Sequence, residues 1–149
     1  MKLTDSKNQQ ENWHEVLSLW NLVANWSHYR LSDGEIKQKL KSLVIFLWNE
    51  KDWLAKEYPE KCQLIEDNIN KSKFIKIIAD LANSIKHRRL DKKPRSNANQ
   101  SDYYGRITLN QNSGRNMYYI ECNGEVLELF AILRGSMDEY EKIKTQLMR

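Results

Sequence analysis

Residues 32–59 read SDGEIKQKLKSLVIFLWNEKDWLAKEYP, from Ser32 to Pro59. Ser32 and Glu35 stand at capping-box spacing, so a helix starts here. Ile36, Leu40, Leu43, Leu47, Leu54 and Tyr58 then recur at a coiled-coil-like interval, widened by Val44, Trp48 and Ala55. Pro59 closes the helix, because proline has no N–H to continue the ladder. A helix this long with one broad apolar stripe must bury it against other helices.

The flanking text supplies them. A first helix is expected from Gln9 to Leu31, with Trp13, Val16, Leu17, Trp20, Val23, Ala24, Ser27 and Leu31 on one face. Leu19, Leu22, Trp26 and Tyr29 form a second stripe on nearly the opposite side. Two stripes place this helix centrally or against another subunit, which makes those four the interface candidates. After Pro59, Cys62, Ile65 and Ile69 indicate a short helical segment. A third helix runs from Ser72 to Arg89, with Phe74, Ile78, Leu81 and Ile85 inward and Ile75, Ile77 and Ala82 beside them.

Residues 92–102 turn polar around Pro94 and read as a mobile loop. Tyr103–Leu109 and Met117–Cys122 are strand-like, and Asn112-Ser-Gly114 supplies the turn of a β-hairpin spanning 103–122. Asn123-Gly124 is a further turn. Helical spacing then returns through Val126, Leu129, Phe130, Leu133, Met137, Tyr140, Ile143 and Leu147. Gly135 inside that run marks a kink or a close helix–helix approach. The expectation is one mostly α domain over 1–149. It is a four- to five-helix bundle with a β-hairpin inserted before the C-terminal helix.

Composition agrees. The 149 residues include only five Gly and two Pro, against five Trp and seven Tyr. That disfavours loop-rich sandwiches and Gly-rich phosphate cradles. The longest apolar run, Leu43–Trp48, is six residues, against about 20 for a membrane span. The first dozen residues carry no apolar signal core, so the reading is a cytoplasmic chain with no membrane partner. Cys62 and Cys122 lack motif spacing and read as buried, reduced thiols.

Chemistry concentrates at the end of the third helix. Lys86, Arg88, Arg89, Lys92, Lys93 and Arg95 face one acid, Asp91, within ten residues, so the net charge of +4 is local. These six are the candidate phosphate-binding residues. Lys76, Asp80, Asn83 and His87 share one helix face. Asp80, Asn83 and His87 are the candidate catalytic groups, with His87 as acid or base near neutrality. Asp80 and His87 are about 10.5 Å apart along the axis, too far for a direct relay. The plainer alternative is a solvated face whose terminal cations complement the helix dipole. His14, His28 and His87 lack metal-ligand spacing, and neither a Gly-flanked serine nor a nucleotide loop is present, so no metal or cofactor is expected. Tyr103, Tyr104, Tyr118 and Tyr119 either stack bases or pack the strands on helices.

The helices, a third helix ending in histidine and a returning final helix resemble the HEPN superfamily. Asp80-Leu-Ala-Asn-Ser-Ile-Lys-His87 is similar to its signature segment, an Arg followed after four to six residues by a His. The resemblance implies a small, often dimeric bacterial protein of antiviral defence or toxin–antitoxin systems, whose active members are metal-independent ribonucleases. The signature arginine belongs at position 80, 81 or 82, where this chain has Asp80, Leu81 and Ala82. The resemblance therefore speaks for the scaffold more than for catalysis. One reading is a protein that acts on or binds RNA or nucleotide phosphates. The other is a non-catalytic homodimeric interaction or inhibitor protein that meets a protein partner through its aromatic helical surface.

Overall fold

The computed structural model describes residues 3–87, 108–110, 117–122 and 124–149. Five helices appear: α1 (Leu3–Ala24), α2 (Asp33–Glu57), α3 (Cys62–Lys71), α4 (Lys73–His87) and α5 (Leu129–Leu147). Strands β1 (Thr108–Asn110), β2 (Met117–Cys122) and β3 (Glu125–Glu128) lie between α4 and α5. The fold is a helical bundle with an antiparallel strand insertion before its last helix.

The punctuation signals act as read. Ser32 Oγ accepts from the Glu35 N–H at 3.2 Å, and the Glu35 carboxylate reaches back to the Ser32 N–H. Pro59 follows the end of α2 and opens a single 3-10 turn, Pro59–Lys61. Ser72 Oγ accepts from the Ile75 N–H at 3.0 Å and starts α4. At the far end of α5, the Lys61 ammonium donates to the carbonyls of Leu147 at 2.7 Å and Arg149 at 3.3 Å. A cation there satisfies carbonyls that have no partner within the helix.

The first helix stops earlier than its stripe predicts. Asn25 Nδ2 donates to the Asn21 carbonyl at 2.9 Å, offering the backbone a side-chain partner where the helix ends. The Leu31 N–H then bonds to the Trp26 carbonyl, enclosing Arg30 in the left-handed region at φ 54°. The buried line of α1 is Asn12, Val16, Leu19 and Val23, while Leu17 is 43% exposed. Leu19 thus belongs to the chain's own core, and Trp26 packs against that core after α1 has ended. Asn12 is satisfied on this inward face, its amide donating to the Phe46 carbonyl at 3.0 Å.

The enclosed helix is α4, the expected third helix, and not α1. Ile75, Ile77, Ile78, Ala79, Leu81 and Ala82 are all buried, as are Asp80 and Ser84. Together they cover most of its circumference and leave Lys76 and Asn83 half-buried on the remaining side. It packs against α2, α3 and α5. At the α4–α5 crossing, a Cβ on Gly135 would lie 2.6 Å from the Phe74 ring. Glycine is needed there for the two helices to approach.

The strand segment is a three-stranded antiparallel sheet in the order β1-β2-β3. Residues 103–107 of the expected first strand, the turn at 112–114 and the loop 92–102 lie outside the described residues. Val126 sits on β3, not in the last helix, and is exposed. Gly124 makes the β2–β3 turn at φ +75°, a conformation that L side chains resist. Glu128 faces Tyr119 in the ladder, and its carboxylate accepts from the Phe130 N–H at 2.9 Å and the Ala131 N–H at 2.8 Å. It is both the last residue of β3 and the N-cap of α5. The sheet docks through buried Tyr118 and Ile120. The Tyr118 ring lies 6.1 Å from Phe130, and its hydroxyl donates to Asp33 at 2.9 Å. Burial and that carboxylate raise the phenol's pKa. Tyr118 therefore joins strand to helix.

Candidate functional site

Two places concentrate chemistry. The first is the last two turns of α4. Asp80 and Ser84 are buried at 3% and 1% exposure, and each has an interaction partner. Asn83 and Lys76 are half-buried, while Lys86 is exposed. The described part of the polar face is therefore uneven: Asp80 is enclosed, while Lys76 and Asn83 keep partial contact with solvent. His87 is the last residue of α4, and its side chain lies outside the described residues. So do Arg88, Arg89, Lys92, Lys93 and Arg95. The structure thus buries Asp80 and leaves Asn83 half-buried, about one helical turn before Lys86.

The second place escaped the sequence reading. Glu50 of α2 is 1% exposed, and its Oε2 lies 3.5 Å from the Lys144 ammonium of α5. That oxygen has no hydrogen bond, so the contact is ionic and not a well-formed hydrogen bond. Burial pushes the Glu50 carboxyl up to about 7, against the pull of Lys144 and of the Asn12 amide. Burial also lowers the Lys144 pKa, against the nearby charges of Glu50, Glu141 and Glu57. The same ammonium sits 3.3 Å from the centroid of the Trp13 ring, a cation–π seat. Trp13 is fixed edge-on against buried Tyr140 at 6.1 Å. A cleft of about 300 Å³ opens over this pair, lined also by Glu57, Tyr58 and Glu141.

One signal could have found it. Leu43, Leu47, Glu50 and Leu54 follow each other at spacings of four, three and four, and all are buried. A carboxylate on the buried stripe of a helix needs a partner, and the stripe alone announces that need.

Other expected features resolve more simply. Cys62 is exposed and not buried; its thiol lies 3.1 Å from the Pro59 carbonyl. Among the interface candidates, Leu19 is buried, Leu22 and Trp26 are half-buried and Tyr29 is exposed. Asn21 donates to the Tyr29 hydroxyl at 3.2 Å. Among the described residues, no group of three His, Cys, Asp or Glu could hold a metal ion. No described helix is long and apolar enough to cross a membrane.

No family model matches the chain, and no curated protein or solved structure matches it either. The functional reading therefore rests on the chain's own residues.

Proposed function

We propose that the protein is a HEPN-like bundle that binds RNA or nucleotide phosphates at the C-terminal end of α4, without cleaving them. The observation that carries this reading is the burial gradient along α4. Asp80 and Ser84 are buried, Ile85 is half-buried and Lys86 is exposed, where the cationic stretch Lys86–Arg95 begins in the sequence. A helix anchored in the core by Asp80 and Ser84 presents the Lys86 ammonium to solvent, and a cation there favours recognition of an anion.

Binding without turnover is favoured by the same helix. Positions 80, 81 and 82, where the resemblance calls for an arginine, are Asp80, Leu81 and Ala82, exposed by 3%, 2% and 0%. Side chains enclosed to that degree do not meet a solvent-borne phosphate. The setting that the resemblance implies is defence or a toxin–antitoxin pair.

Fluorescence anisotropy with a labelled single-stranded RNA tests the reading. Binding should weaken steeply with salt, by a log–log slope of about 0.7 per phosphate contacted. Replacing Arg88 and Arg89 by Ala should lower both the affinity and the slope. Salt-insensitive binding, or a double variant that binds normally, would overturn it. Incubation with total RNA beside a His87→Ala control should leave the RNA intact in both tubes. Cleavage by the parent chain alone would make His87 a reacting group.

A further inference from the structure

We propose that the cleft framed by α1, α2 and α5 is a binding site for a small organic ammonium ion, held by the carboxylates of Glu50, Glu57 and Glu141 beside the Trp13 and Tyr58 rings. None of its lining residues belongs to α4, so this site stands or falls separately from the phosphate reading.

Four observations meet here. The volume, about 300 Å³, is at the lower end of small-molecule pockets. The walls already accept an ammonium, because Lys144 lies 3.3 Å from the Trp13 centroid and 3.5 Å from Glu50. Charge is in excess: three lining carboxylates face one lysine, with His14 and Tyr58 the other titratable neighbours. That balance repels anions and draws cations. Finally, Glu50 Oε2 is buried beneath the cleft with an ionic contact to Lys144 at 3.5 Å and no hydrogen bond, so its charge adds to the field that an entering cation meets. Leu54 and Met148 complete the lining and suit a short apolar tail. The occupant is thus an amine with a cationic head and a few methylenes.

Binding should depend on pH in a defined direction. A bound cation favours the ionised form of Glu50, whose carboxyl is held at about 7 by burial. Glu57 and Lys144 act on that carboxyl, and Glu141 acts on Lys144. Affinity therefore rises as pH climbs through neutrality, while an alkylamine itself stays protonated.

The test is isothermal titration of the full chain with n-pentylammonium chloride, beside 1-pentanol as a neutral match. Pentylammonium should bind saturably and at least about tenfold more tightly than pentanol. It should tighten several-fold between about pH 6 and pH 8. The rim double variant Glu57→Gln/Glu141→Gln should weaken it about tenfold while circular dichroism stays unchanged. No saturable heat at about 10 mM ligand, or equal binding of amine and alcohol, would overturn the site with no variant needed. Unchanged binding by a folded double variant would overturn it as well.

Discussion

The two halves of α5 are stabilised in different ways. Around Gly135 the helix lies against α4, with a glycine where the Phe74 ring leaves no space for a Cβ. Around Lys144, less than three turns later, it faces α1 and α2 through an ammonium, an indole and a buried carboxylate. The first contact depends on volume and ignores pH. The second depends on charge and changes with every protonation step. A bundle can thus keep one end rigid by shape and leave the other responsive.

The largest expected effect tests the rigid half. Ile78→Ala opens a cavity on the enclosed helix and should cost about 2–5 kcal/mol in urea unfolding. The loss should be the same at acid and alkaline pH. A pH-dependent loss would mean that the halves are coupled. Next, Lys144→Ala strips Glu50 of its counter-ion. It should cost about 1–3 kcal/mol at pH 8, where the carboxylate would stand buried and alone, and much less at pH 5, where it is protonated.

A smaller effect sharpens the contrast. Gly135→Ala must move the Phe74 ring, an overpacking cost of about 1–3 kcal/mol, offset by about 1 kcal/mol of helix propensity. Destabilisation of about 1 kcal/mol is expected from calorimetry, relieved when Phe74 is also changed to Leu. The last test, read as a pH profile and not as a single value, concerns Glu50→Gln. The native carboxyl titrates at about 7, against a free value of 4.5, so the native state prefers the protonated form. The resulting stabilisation is complete below about pH 4.5 and fades as pH rises to about 7. The variant lacks that fade, so the parent chain should lose ground to it across this window. Parallel pH profiles would remove Glu50 from the account.

Much of the bundle was legible because its punctuation is local. The capping box at Ser32, the stop at Pro59 and the close approach at Gly135 depend on residues within one helix or on the absence of a side chain. What stayed hidden depends on distant partners. The buried face of α1 includes Asn12, a polar residue whose partner is the distant Phe46 carbonyl, which no spacing rule reveals. Asp80 shares what looks like a solvated stripe with Lys76, Asn83 and His87, yet its own side chain is buried. Strand β3 is only four residues, and Val126 fits helical spacing as well as strand alternation. The Glu50–Lys144 pair joins helices far apart in sequence, and only its first half left a trace, as a carboxylate among leucines.

Glu128 carries a consequence for how the molecule assembles. One carboxylate ends a strand and begins a helix, so ladder register and helix phase are set by a single residue. A slip of one position in β3 would turn its side chain to the opposite face of the sheet and leave the first amides of α5 without their acceptor. Sheet register and the start of α5 are therefore coupled through one carboxylate. An extra residue placed between Gly124 and Glu128 should be felt at the Trp13 ring, well beyond the hairpin that received it.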